Sequence, residues 1–495
     1  MNAAAAGADL TAAGACGAAG AGELAVRALR GRFAGELVLP TDARYQAVRE
    51  IWNAAIDKQP AVIARCRQPS DVAAAIGVAR ELGLPISIRG GGHNIAGTAL
   101  CEGGLCLDLR PMSAIAIDEA GRSATVELGL TWGQLDRATH PVGLATPGGI
   151  VSGTGVAGLA LGGGFGWLSR SCGWTCDNML AAQLITAEGE QLLASPAENP
   201  ELFWALRGGG GNFGVVTSMT LRLHPARWVY AGYLIYRLAD AAQLLAVCDE
   251  VMAEAADRAC LVIGLGPPPA SADLPEELRD QRVLRIALCH SGSAEDGERL
   301  AGQFRRRKQP AFEKLAVLAY PQLQSMLDAG GVGGLGHYAK SHFLTPLGEQ
   351  AIATIVEQAA LAPSPRSRVV LHTCGGWPSR PDAPDTAFGH RDAAYNLQID
   401  STWQLDADPA PHVAWARAFW NAMLEFTSGG VYVNFLGADA DRADVERAYG
   451  QQRFRRLQQV KDQFDPTNVF SSNQNIVPSG AQPSAVASSQ VRSES

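Results

Sequence analysis

Residues 85–94, P-I-S-I-R-G-G-G-H-N, restrict the chain more than any other stretch. The β-favouring run Ile86-Ser87-Ile88 leads directly into Arg89, three glycines and His93. Gly90, Gly91 and Gly92 strip one turn of backbone of its side chains, so their N–H groups can converge on an anion such as a pyrophosphate. Arg89 stands at one end to add charge-assisted hydrogen bonds, and the nucleophilic imidazole of His93 stands at the other. A strand, an anion cradle and a histidine in such close order predict a phosphate-bearing cofactor with its reactive ring near His93. The plainer alternative is a glycine-rich surface turn.

A chain of 495 residues calls for two or three domains. With 47% apolar and 18% charged residues it can fill large cores. A net charge of −8 without a basic block argues against nucleic acid or an anionic membrane as partner. No run of apolar residues is long enough for a membrane helix. The ten cysteines contain no C-x-x-C pair, and neither Cys172 nor Cys176 has a neighbouring histidine. Free thiols and no metal site are therefore expected. The first 22 residues are Ala- and Gly-rich and lack a basic n-region, which suggests a floppy extension rather than a signal peptide and a cytoplasmic protein.

Hydrophobic spacing predicts a helix over 24–34, a strand over 61–65, a helix over 72–82 capped by Pro69-Ser70-Asp71, and the strand that opens into Arg89. This is a β-α-β beginning. Strands follow at 105–109, 123–129, 180–186 and 215–223, with helices at 131–140 and 199–206. Ten glycines make residues 143–166 loop and tight-turn territory. After Pro225 glycine runs thin out. Strands at 230–238, 261–265, 282–290, 341–344, 369–374 and 393–403 alternate with helices at 240–254, around 300–304 and at 347–361. Helices over one face of an antiparallel sheet, an α+β layout, fit this order. A strand at 431–436, a helix at 444–462 and an extended end at 473–478 precede a disordered Ser-, Ala- and Gln-rich tail at 479–495.

Gly153-x-Gly155-x-x-Gly158 matches the dinucleotide pattern G-x-G-x-x-G, and Asp177 lies 19 residues beyond its last glycine. An NAD-dependent Rossmann dehydrogenase needs a strand before that pattern and a long helix after it. Residues 145–149 (A-T-P-G-G) make a poor strand, and Gly162-Gly163-Gly164 would break the helix. No G-x-x-x-x-G-K-[ST] pattern points to nucleotide hydrolysis. The runs at 90–92, 153–166 and 208–211 instead suit one long, extended dinucleotide.

Taken together, R-G-G-G-H-N at 89–94, G-G-G-F-G-W-L-S-R at 162–170, D-N at 177–178 and L-F-W-A-L-R-G-G-G-G-N-F-G at 202–214 resemble the FAD-linked oxidases of the berberine bridge enzyme type. I-T-A-E-G at 185–189, Y-V-N-F at 432–435, F-D-P-T-N-V-F at 464–470 and N-Q-N-I-V-P at 473–478 extend the resemblance over roughly residues 45–478. It implies a fold of the vanillyl-alcohol oxidase/p-cresol methylhydroxylase (PCMH) type. An extension and first helix (1–40) would precede an FAD-binding domain (41–225). A substrate domain (226–430) would be inserted before a segment returning to the FAD domain (431–478).

The resemblance also implies that His93 bonds covalently to the flavin 8α carbon. Doubly linked relatives carry a cysteine where this chain has Val151, so a single histidyl bond is expected. The implied FAD contacts are Arg89, Gly90, Gly91, Gly92, His93, Asn94, Gly153, Thr154, Gly155, Gly158, Gly163, Gly164, Gly166, Asp177, Asn178, Gly214, Val215, Val216, Tyr432, Asn434 and Asn473. Tyr432 resembles the family base. Lys340 resembles a lysine near the substrate, and Asn396 and Gln398 share the strand face toward it. The implied reaction passes hydride from a CH–OH or CH–NH group of a small molecule, such as a sugar or secondary metabolite, to flavin N5. O2 would be the acceptor and H2O2 the product. Thr154 stands where relatives place Val or Leu, which leaves oxygen access open. A flavin-binding protein without turnover is the further alternative.

Overall fold

A computed structural model describes residues 18–330 and 333–480. The expected tail lies outside these residues from 481 onward, as do the first 17 residues of the expected extension. The first described helix is Ala18–Leu29; it begins earlier than its spacing suggested and ends before Gly31, where φ is +83°.

The β-α-β beginning is present. Strand Val62–Arg65 leads through helix Pro69–Glu81 to strand Ile86–Arg89. Val72, Ala75, Ile76 and Ala79 recur at helical spacing and are all buried. Strand Leu105–Asp108 enters between the two and runs parallel to both, while Glu36–Val38 pairs antiparallel at one edge. Residues 90–94 therefore leave the carboxyl end of a parallel edge strand, the end at which open α/β sheets hold ligands.

A second, five-stranded antiparallel sheet runs in the order Ile115–Asp118, Ser123–Glu127, Val215–Arg222, Met179–Ile185, Gln191–Ala194. A seven-stranded antiparallel sheet fills the middle of the chain. Its order is Phe312–Ala319, Trp228–Arg237, Val283–His290, Ala259–Gly266, Arg368–Thr373, Tyr395–Trp403, Gly336–Leu344. Leu244, Leu261, Ile286, Ile355, Leu371, Leu397 and Phe419 pack one of its faces under helices Ala241–Glu254, Glu349–Ala360 and Ala410–Ala422. The other face packs Val262, Ala287 and Val370 against Trp167 and Leu168 from the glycine-rich half. No helix among the described residues is long and apolar enough to cross a membrane.

Three local expectations are corrected. Residues 431–436 form no strand. After Gly429 (φ +99°) and Gly430, the chain turns into a short 3-10 segment, Val433–Phe435, anchored where Tyr432 N–H donates to Ser341 Oγ at 3.2 Å. The helix expected at 444–462 is two, Arg442–Tyr449 and Gln451–Phe464, because Gly450 takes φ +73°. Strand Phe312–Ala319 was not expected at all: it is an edge strand whose exposed residues do not alternate with buried ones.

The C-terminal helix is pinned to the third glycine run by a buried ion. Lys461 is wholly buried, and its Nζ donates to Asp465 Oδ2 (2.7 Å), Asn212 O (2.8 Å) and Phe470 O (3.0 Å). Asp465 also accepts from the N–H groups of Val469 and Phe470. All three ammonium protons are thus used. Lys461→Met strands a buried carboxylate and should cost about 3–5 kcal/mol in chemical denaturation, with Asp465→Asn in the same chain recovering part of the loss.

Candidate active site

The glycine runs, the C-terminal segment and the inner face of the seven-stranded sheet meet around one cavity of about 350 Å³, a size typical of small-molecule sites. Gly90, Gly91, Gly92, Gly155, Gly158, Gly210, Gly211 and Gly214 contribute bare backbone to its wall. Two of these glycines touch each other. A Cβ on Gly155 would lie 2.4 Å from Gly91 N, and one on Gly91 would lie 2.4 Å from Gly155 N. The two loops therefore cross backbone on backbone, with room for no side chain.

Strand alternation decides what the first motif does. Ile88 and Gly90 line the cavity, and Arg89 points away from it. The Arg89 guanidinium donates to the carbonyls of Val48 and Glu50, while Trp52 N–H donates to Gly92 O at 3.1 Å. Arg89 is thus not an anion ligand. It ties residues 45–52 under the glycine loop, and burial pulls its pKa to about 10.

His93 and Asn94 line the cavity. Burial holds the His93 imidazole down at about 4, so it is neutral at physiological pH. Its ring stacks on Trp52 at 5.4 Å between centroids, and Trp52 stacks in turn on His337 at 3.9 Å. A Cβ on Gly153 would come within 3.5 Å of His93 Nε2. Thr154, Val151, Val215 and Val216 complete this side of the wall.

The second glycine run behaves differently from expectation. Gly163, Gly164 and Gly166 do not line the cavity; they let protein approach protein. Cβ atoms there would strike Phe388 at 2.4 Å, Leu159 at 2.4 Å and Gly148 O at 1.9 Å, respectively. Phe165 between them does reach the cavity. Asp177 and Asn178 are also structural. Asp177 accepts from Arg391 and from Trp174 N, while Asn178 donates to Cys172 O and Trp174 O. Cys172 and Cys176 stand off the cavity lining as well. The dinucleotide pattern fails in three dimensions too: Gly155 makes only an isolated bridge to Thr131, and helix Val156–Leu161 is six residues long.

Tyr432, Asn434 and Asn473 line the cavity from the C-terminal segment. The Tyr432 hydroxyl oxygen accepts from Gly164 N–H (3.1 Å) and from Asn434 Nδ2 (2.8 Å). Burial raises its pKa well above that of a free phenol, and these two donors oppose the rise. Asn434 lies on Gly162, where a Cβ would meet its Oδ1 at 2.2 Å. Asn473 donates to Gly211 O and Phe470 O, and its Oδ1 is buried without a partner. Bare glycine backbone, an unpartnered acceptor and a neutral imidazole along one cavity fit a long, polar-ended cofactor.

On the sheet face, Gln398 lines the cavity, as do Ala339, Val370 and His372. Two expected substrate residues do not. Asn396 is wholly buried beyond the lining, and its Nδ2 donates to His342 O. Lys340 projects from the opposite side of its strand to Ala339, where Nζ meets Asp439 at 3.5 Å and the Trp420 ring at 5.7 Å. Trp52, His337 and Arg285 were missed in the sequence. Trp52 sits in a short irregular stretch, and the other two are ordinary strand positions whose direction only the sheet register reveals.

Two family models match the chain, an FAD binding domain over residues 60–195 and the "berberine and berberine like" family over residues 431–477. An FAD-linked oxidoreductase of Dictyostelium discoideum is 31% identical over 441 residues, 88% of this chain and 92% of that protein. (R)-6-hydroxynicotine oxidase of Paenarthrobacter nicotinovorans is 31% identical over 462 residues, 90% of this chain and 97% of its own. The crystal structure of 6-hydroxy-D-nicotine oxidase from Arthrobacter nicotinovorans superposes with a TM-score of 0.80 at 30% identity, covering 90% of this chain and 98% of that one.

Two outcomes follow from the packing. Gly155→Ala should force the crossing loops apart and empty the site, read as a fall in the flavin-to-protein absorbance ratio of the purified protein. Stability should also depend on pH. Burial lowers His224, His342 and His372 to about 4 in the folded chain, from 6.5. Between these values the unfolded chain binds more protons, so Tm should be flat above about pH 6.5 and fall as pH drops toward 4.

Proposed function

The chain belongs to the FAD-linked oxidoreductases of the berberine-like family, and we propose that it is an oxidase acting on a CH–OH or CH–NH group of a small molecule, with O2 as acceptor and H2O2 as product. FAD, when bound, supplies the hydride acceptor. The observation that carries this reading is the single cavity that brings His93 and the glycine backbones together with Tyr432 and Gln398.

His93 is proposed as the sole covalent anchor of the cofactor. A neutral imidazole is the nucleophilic form, and Val151 offers no thiol on the same wall. Tyr432 is proposed to take the proton of a substrate hydroxyl. The base is the phenolate, which becomes the neutral phenol on taking the proton, and Gly164 N–H and Asn434 Nδ2 would steady that phenolate beforehand. Burial outweighs them, so the phenol stays protonated at neutral pH. Gln398 is proposed to orient the substrate from the sheet face. The sheets support an FAD domain over 41–225 and 431–478 and a substrate domain over 226–430. The nine described cysteines, all free, support a cytoplasmic location.

Acid precipitation of the wild type should give a yellow pellet, and His93→Ala should release the flavin to the supernatant; a colourless wild-type pellet rules the tether out. Tyr432→Phe should lower kcat for an alcohol by about 10²–10⁴ with little change in KM. Wild-type rates should climb with alkaline pH, and that limb should vanish in Tyr432→Phe.

A further inference from the structure

The inner face of the seven-stranded sheet carries one rung of particular interest. Arg285, Gly264, Val370 and Gln398 are paired neighbours on four consecutive strands. Gln398 and Val370 line the cavity, and so does Arg285. Gly264 has no side chain, and the guanidinium occupies the space this leaves: a Cβ there would lie 3.4 Å from Arg285 Nη2. The cation is thereby laid along the floor toward Gln398.

No carboxylate answers it. Among the described residues no ion pair or hydrogen bond engages Arg285, and its Nε is buried without a partner. The other arginine on this floor, Arg368, is already neutralised by Asp400 at 2.9 Å. Burial and the neighbouring Arg368 pull Arg285 down to about 10, which still leaves it charged at neutral pH. Arg285 is half-buried with its Nε closed off, and a cation so placed without a counter-charge leaves that charge to be supplied from outside.

The adjoining cavity has the same sign. A second cavity of about 530 Å³ meets the first at Arg285, Arg368 and Val370. Its wall includes Lys314 and Arg366, and no Asp or Glu among the described residues. Lys314 is held by exposed Asp273 at 3.0 Å, so this contribution is partial. In a chain of net charge −8, a basic adjoining cavity favours an anion over a cation.

We propose that the substrate of this oxidoreductase is a carboxylic acid whose carboxylate is received by Arg285, with its oxidisable carbon lying toward Gln398. On the floor itself only Arg285 is uncompensated, which suits a singly charged carboxylate better than a phosphate dianion. An arginine fork also matches a carboxylate in a two-bond geometry. Strands lie about 4.8 Å apart, and the guanidinium reaches over the first of three gaps, so carboxylate and reacting carbon would be separated by about 10 Å or less. That span suits an aromatic acid or a short sugar acid. The substrate assignment rests on the oxidoreductase reading, whereas the anion site itself does not.

Calorimetric titration of the flavin-loaded protein with benzoate, benzamide and inorganic phosphate tests the site. Benzoate should bind at least about 10-fold more tightly than benzamide or phosphate. Arg285→Met should weaken benzoate about 10- to 100-fold and leave benzamide unchanged, with Arg285→Lys intermediate. Arg285→Met should also keep or raise Tm, since it removes a half-buried charge that has no partner. Equal binding of benzoate and benzamide, tighter binding of phosphate, unchanged affinity in Arg285→Met, or a lower Tm for that variant would each overturn the proposal. A preparation without flavin absorbance would instead refute the FAD reading and leave the benzoate comparison readable.

Discussion

Two glycine backbones in contact hold the site together. Gly91 belongs to the loop that leaves the parallel sheet, and Gly155 to the loop that opens the next layer, and neither has room for a methyl group. Their contact fixes His93 on one side and Thr154 on the other along the same wall. Behind it, Arg89 ties the carbonyls of residues 48 and 50 under the loop, and the stack of His93, Trp52 and His337 carries the rigidity across to the seven-stranded sheet. The glycine wall and the sheet floor of the cavity are thus one connected packing.

The segment around Lys461 and Asn473 meets the glycine-rich half for a related reason. A glycine run such as 208–211 has no side chains with which to hold its own shape, and is ordered from outside. Lys461 does this by donating to Asn212 O while paired with Asp465, and Asn473 adds a bond to Gly211 O. The segment that shapes the third run is the same one that delivers Tyr432, Asn434 and Asn473 to the cavity. Residues 432–473 therefore both order the third glycine run and line the cavity.

Much of this was legible in one dimension. The β-α-β start follows from helical spacing at Val72, Ala75, Ile76 and Ala79 between two apolar runs. Strands 283–290 and 395–403 announce themselves by composition, and the failure of Gly153-x-Gly155-x-x-Gly158 as a Rossmann turn follows from its flanks. Arg89 and Lys340 were misread because motif membership says nothing of side-chain direction. Each lies next to a cavity residue, Gly90 and Ala339, on a strand whose alternation turns it away. Gly163, Gly164 and Gly166 were misread because a glycine needed for close protein packing looks the same in sequence as one needed for a ligand.

The sequence by itself determined the family, through short motifs spread over residues 45–478, and placed His93 and Val151 in its glycine-rich stretches. Each motif is local and depends on residues within a few positions of one another. The tertiary structure alone decided that Tyr432 is held by Gly164 and Asn434, that Asn396 falls outside the cavity, and that Arg285 lies uncompensated on its floor. The first depends on where the segment after Gly430 folds back, and the place of Arg285 depends on register between strands far apart in the chain. A one-residue slip in pairing would turn Arg285 to the other face, and no local pattern records which register wins.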